Sequence, residues 1–301
     1  YKADRTASVT VKERNFVNDL GHLYIAVKEK NQTEYSRYTY ADLQKGYLPG
    51  VSVSNYHDGQ ADYDVTAYED IRTITFALTF SGDNEYDWYC YVEDTNGKSA
   101  QTEPDFFVLD KTAPVLKNGG VKYYVDGKDV TAQVENGSLF TSKEVKAVVS
   151  IDETNFAAEG SGFADGQMAV NLTASDNEGN NVDVTEKFID AMTSADSWSN
   201  WDEKNGLTRE MSMTFGDDAN YQFGFTYTDL AGNSVTYNAR RFTHDHTNPT
   251  GSVTYDTNAG KETWRTFFDL ITFNRFKQTE VPVTFTGEDM TAGVKSIEYY
   301  K

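Results

Sequence analysis

His244-Asp245-His246 places two imidazoles and a carboxylate close together on what reads as extended chain, a set that can ligate a metal. The same alternation of polar residues is also the ordinary make-up of an exposed linker. Carboxylates are the commoner resource. Asp94 and Asp229, with Asp110 and Asp245, recur at corresponding places. There they could gather with backbone carbonyls around one calcium ion, a hard cation that takes about six to eight oxygen ligands. The plainer reading is that an aspartate ahead of a glycine turn bonds its own backbone. Asp176-Asn177-Glu178-Gly179-Asn180 opens like a calcium loop, but its glycine comes too early and the closing glutamate is missing. Calcium is the one cofactor these residues suggest.

Signatures of catalysis are missing. The chain has no His-Glu-x-x-His, no Gly-x-Ser-x-Gly and no phosphate-binding glycine loop, and Gly160-Ser161-Gly162 reads as a flexible turn. A glycosidase needs two carboxylates at a defined separation, whereas 47 acidic residues supply pairs by chance. Cys90 is the single cysteine, so no intrachain disulfide forms. It alternates with aromatic residues and reads as a buried, inert thiol. The expectation is a protein without enzymatic activity.

Recognition is a different matter. Tyr35, Tyr38, Tyr40, Tyr47 and Tyr56 crowd residues 31–70, a stretch dense in Gly, Ser, Asn and Asp. Tyrosine offers broad contact area at low entropic cost, so these five are the candidate ligand-binding residues. Against this stands the reading that some of the rings form a core.

The elements that hold these residues follow from a duplication. Residues 72–114 align without a gap on 207–249. The identical pairs are Thr73/Thr208, Thr79/Thr214, Phe80/Phe215, Asp83/Asp218, Tyr86/Tyr221, Asp94/Asp229, Gly97/Gly232, Ser99/Ser234, Phe107/Phe242, Asp110/Asp245, Thr112/Thr247 and Pro114/Pro249. Self-similarity at a fixed period marks tandem structural units. Residues 73–80 and 86–93 alternate, with Tyr86, Trp88, Cys90 and Val92 on one face; the second copy puts Tyr221, Phe223, Phe225 and Tyr227 on the matching face. Turn-rich residues join each pair as hairpins. Asp-x-Thr-x-Pro punctuates the chain at 110–114 and 245–249, and Asp4-Arg5-Thr6-Ala7-Ser8 reads as a third instance. Core strands are expected at 8–12, 147–151 and 281–286, and short helices at 40–45, 184–192 and 263–270. The pattern reads as all-β, with β-sandwiches stacked in tandem. Domains are expected at 1–109, with a tyrosine-rich insertion, at 110–244, with an extra N-terminal segment, and at 245–301, an incomplete third repeat. The chain reads as a piece of something longer.

Composition narrows the partners. A net charge of −20 over 301 residues repels phosphate backbones and anionic membranes, which sets nucleic acid aside. No apolar run is long enough to span a bilayer. Aromatics make up 14% of the chain, including 20 Tyr and 18 Phe, so modest sandwiches can still bury large rings.

The Asp-Lys-Thr-Ala-Pro punctuation, the Thr-Asp-Leu-Ala-Gly-Asn hairpin and residues 293–300 (Gly-Val-Lys-Ser-Ile-Glu-Tyr-Tyr) together resemble bacterial immunoglobulin-like repeats of large Gram-positive surface proteins. The resemblance implies a Greek-key sandwich, an extracellular place on the bacterial cell surface and a role in adhesion or display. Three functions stay open. One is an adhesin-type segment that binds a host protein, an immunoglobulin being one concrete form, or a glycan. Another is a pure spacer. The third is an accessory module of a carbohydrate-active enzyme, for which Trp198 and Trp201 could supply an aromatic strip. As an isolated piece the chain is expected to be a monomer.

Overall fold

The computed structural model describes residues 1–13, 22–64, 69–153, 167–200, 208–255 and 283–299. The expected helix at 263–270, Trp201 and Gly160-Ser161-Gly162 lie outside them. The described chain is mostly strand. The first part runs β1 (Arg5–Glu13), β2 (Leu23–Glu29), β3 (Ser36–Thr39), α1 (Tyr40–Gln44), β4 (Val51–Asp64), β5 (Glu69–Phe80), β6 (Asn84–Glu93), β7 (Ser99–Gln101) and β8 (Asp105–Leu109). One sheet has the order β1-β5-β4; the other runs β3-β2-β6-β7, with β8 also on β6. Period-two alternation sends one face of each strand inward. Val9, Val11, Ile74, Phe76, Leu78 and Phe80 from the first sheet meet Leu23, Ile25, Tyr86, Trp88, Cys90 and Phe107 from the second in one cluster. Phe80 touches Tyr86, Trp88 and Phe107 at ring-centroid distances of 5.0–5.4 Å, edge-on or tilted as ring quadrupoles prefer.

The second part runs β9 (Val115–Val125), β10 (Lys128–Asp129), α2 (Thr131–Glu135), β11 (Phe140–Thr141), β12 (Val145–Asp152), β13 (Met168–Ser175), α3 (Thr185–Thr193), β14 (Thr208–Phe215), β15 (Ala219–Thr228) and β16 (Ser234–His244). Sheets β10-β9-β12-β14 and β11-β16-β15-β13 enclose a core in which Tyr221, Phe223, Phe225 and Tyr227 are all buried. A third pair, β17 (Thr250–Tyr255) and β18 (Val283–Glu288), follows.

Register ties the copies together more closely than identity does. Arg5 lies opposite Phe80, and Val145 opposite Phe215, so β1 and β12 are the same strand of the repeat. Asp4 therefore stands at the start of a core strand and not at a junction, which corrects its reading as a third punctuation mark. Leu23 lies opposite Val92 and Met168 opposite Tyr227, so β2 corresponds to β13. After each comes a short helix, α1 or α3. Among the described residues, the edge that β4 fills on β5 is met in the second copy by a bridge between Trp198 and Met211. Within residues 31–64 lie β3, α1 and the strand of this edge, β4.

Local chemistry explains the start of α1. Thr39 caps α1 with a reciprocal box: its hydroxyl accepts from Asp42 N–H, and the Asp42 carboxylate accepts from Thr39 N–H at 2.9 Å. The same hydrogen bonds, from the Thr39 hydroxyl first and then its N–H, hold the Asp42 carboxyl below its ordinary range. Among the described residues the longest helix, α3, has 9 residues, and none is long and apolar enough to cross a membrane.

Candidate functional site at the repeat junctions

Asp229 begins the turn from β15 to β16. Its Oδ1 accepts from the N–H groups of Gly232 and Asn233, and its Oδ2 accepts from Asn233 Nδ2. That amide nitrogen also donates to the backbone oxygen of Asp110 at 2.9 Å, reaching from the second sandwich to the end of the first. Asp110 in turn donates its N–H to Tyr1 O, and Lys2 Nζ donates to Gly232 O. Glu153, just past β12, completes the group. Oxygens of Asp110, Glu153 and Asp229 lie within 4.8 Å of one another, and all three residues are at most 4% exposed. A donor set made only of carboxylate oxygens suits a hard divalent cation such as calcium.

The four expected calcium residues therefore divide. Asp110 and Asp229 meet at one junction. Asp94, the counterpart of Asp229, closes its own turn by accepting from Asn96 and Lys98 N–H. Asp245, the counterpart of Asp110, lies at the next junction and accepts from Ala292 N–H at 3.0 Å. Sequence reading missed Glu153. The signal was present, since each early strand leads into an acid: Glu13, Glu153 and Asp289 occupy one position of the repeat, as Thr250 opposite Glu288 repeats Val115 opposite Asp152. At the second junction the N–H of Thr291 first, then those of Gly293 and Ala292, hold the Asp289 carboxyl below its ordinary range. Asn177 N–H donates to Met290 O and Asn220 Nδ2 to Thr291 O, binding this turn to the second sandwich. The Asp176 stretch is a turn of the Asp229 type: its Oδ1 accepts from Glu178 and Asn180 N–H.

The histidines converge on a different acid from the one their spacing suggests. His244 and His246 meet Asp218, in the β14–β15 turn, while Asp245 between them points to Thr247 and Ala292.

Among the tyrosines, Tyr40 is core at 9% exposure, and Tyr38 packs against that core. Tyr56 touches Tyr40, and Tyr47 is exposed beneath Lys45. Tyr35 joins an outer-face aromatic group that the sequence did not reveal. On the outer face of β2 and β6, Tyr24 stacks on Tyr91 at 4.5 Å, Tyr35 meets Tyr89 edge-on at 5.0 Å, and Arg37 and Lys28 lie over Tyr24 and Tyr35. Second-copy counterparts of Tyr89 and Tyr91 are Gly224 and Thr226, so this ladder belongs to the first sandwich alone.

Cys90 is buried and free, and burial pushes its thiol up to about 12. Trp198 is 6% exposed and donates Nε1–H to Met192 O, so it is a core residue and not part of a sugar-stacking strip. No protein-family model matches the chain, and no curated protein matches it significantly.

Proposed function

We propose that this chain is a non-catalytic stretch of immunoglobulin-like repeats from a Gram-positive surface protein, built as a stiffened scaffold. The carrying observation is where the identities outside the core fall. Asp83/Asp218, Asp94/Asp229, Asp110/Asp245 and Thr112/Thr247 close turns and clamp junctions. Selection for a stalk keeps such residues, whereas an active site would keep a cleft. Calcium at Asp110, Glu153 and Asp229 fits this role, because one ion would gather an acid from the link and two from the following sandwich.

A second layer rests on the tyrosine ladder. Stacked, half-buried rings beside Arg37, Lys28, Asp87 and Glu93 offer apolar area with polar edges, the mixture found in protein-binding surfaces. This supports a reading in which the first sandwich binds a host protein, in the manner of an adhesin, through β2 and β6 rather than a glycan.

Calorimetric unfolding of the chelator-treated chain, with and without calcium, tests the scaffold. Calcium at a hundredfold excess over Kd should add about 2.7 kcal/mol, and Glu153→Gln should lose that gain while keeping its circular dichroism. Unfolding indifferent to calcium overturns the cation; a freely hinged small-angle scattering profile in calcium overturns the scaffold itself.

A further inference from the structure

The β15–β16 register places Ala219 opposite His244, so the side chain before Ala219, Asp218, arrives at the end of β16. His246 lies two residues further along the extended chain and reaches the same carboxylate. His246 Nδ1 sits 2.5 Å from Asp218 Oδ1 and His244 Nδ1 3.4 Å from it, and the three ligand atoms are all within 4.8 Å of one another. The imidazole rings lie 5.8 Å apart. A tetrahedral ion held about 2.0–2.1 Å from each ligand needs ligand atoms roughly 3.3 Å apart. His244 already meets that spacing. His246, with 65% of its side chain exposed, has room to draw back by the remainder.

We propose that Asp218, His244 and His246 form a transition-metal site, chemically distinct from the all-oxygen junction, that takes zinc(II) or a similar borderline ion with water in the fourth position. Two imidazole nitrogens select such ions over calcium. The donors keep capacity beyond their bonds within the fold. The contact from His244 Nδ1 to Asp217 O, at 3.2 Å, can be given up because that oxygen also accepts the Tyr221 hydroxyl at 2.9 Å. Asp218 Oδ2 keeps its bond from Thr247 Oγ1, and Oδ1, which accepts the His246 N–H at 2.9 Å, turns its second lone pair to the ion. The first copy supplies the contrast: Leu109 and Lys111 stand where the histidines are, and Lys111 Nζ binds Asp4 instead. His246 belongs to the link beyond β16 and Asp218 to a turn of the second sandwich, so the ion would fasten this one link on demand.

Cobalt(II) titration of the intact chain, read by visible absorption and followed by zinc displacement, tests the proposal. One ion with tetrahedral bands is expected, resistant to excess calcium. His246→Lys and His244→Leu install the first copy's residues, and each should weaken binding by roughly tenfold or more. Absent cobalt bands, or bands unchanged by His246→Lys, overturn the site and leave a plain His–Asp hydrogen bond. Should either variant fail to fold, zinc protection of His246 from diethyl pyrocarbonate in the unaltered chain decides: slowed modification supports the site, and an unchanged rate overturns it. Neither readout depends on the calcium junction.

Discussion

Thr112 donates its hydroxyl to Asp83 at 2.6 Å, across the end of the first sandwich, and Thr247 repeats the bond to Asp218 in the second. Each aspartate also accepts the N–H of the residue before the threonine, Lys111 or His246. The threonine N–H, in turn, goes to Asp110 or Asp245. The punctuation is therefore a hydrogen-bonded clasp between a hairpin turn and the outgoing chain, and its three polar members survive duplication together.

Thr112→Val and Thr247→Val keep shape but lose the donated proton to a charged acceptor. Each should cost about 1–2 kcal/mol, the exposure of these bonds holding the loss near the lower figure. Urea titration of the single variants measures it. Unchanged midpoints would mean that the clasp contributes nothing.

Cys90 should resist alkylation at pH 8 in the native chain and react once urea unfolds it, since burial raises its thiol from 9.0 to about 12. The sign of the linkage follows. The folded state holds its proton where the unfolded chain gives it up, so stability present below pH 9.0 falls as pH climbs toward about 12. Cys90→Ala should flatten that decline. Fast native labelling would put the thiol on the outside.

The tyrosines should separate by substitution. Tyr40→Ala removes a core ring that touches Phe76 and should cost about 3–5 kcal/mol. Tyr24→Ala with Tyr91→Ala should leave the fold standing and abolish capture of a host protein by surface plasmon resonance. Retained capture in the double variant would move recognition away from the ladder.

Gly50 marks a crossing of two backbones. Its φ is +75°, and a Cβ there would lie 2.7 Å from Gly82 Cα. Both Ser81 and Gly82 N–H donate to Gly50 O, so the strands cannot part. Gly50→Ala should destabilise the first sandwich by about 1–3 kcal/mol or more, read by thermal unfolding. A neutral result would show that this approach relaxes freely.

Much of the fold was legible because alternation survives without partners. The inward faces 86–92 and 221–227, and the helices near 40 and 184, needed only local pattern. What pattern could not supply was the neighbour across the sheet. Tyr24 sits between Leu23 and Ile25 and looks like one more strand aromatic; only its register partner Tyr91 turns it into half of a stack. Tyr38 and Tyr40 looked like recognition residues because composition does not report which rings β3 and the short helix turn toward the core. Glu153 escaped because it lies outside the gap-free stretch and alternates with Asp289 in chemistry. The histidines pointed to a metal, but the acid that joins them is 26 residues before His244, reachable only through the hairpin.

The order in which the junction's acids emerge during synthesis has a consequence for assembly. Asp110 leaves first, Glu153 follows, and Asp229 comes last with Asn233, the residue that ties back to Asp110. A link is thus fastened only when the sandwich after it has nearly finished folding. Until then the outgoing chain is held only by its clasp to the first sandwich, which gives each newcomer room to fold before it is aligned. An array made this way rigidifies in one direction, from its leading end toward its tail, one repeat behind the growing chain.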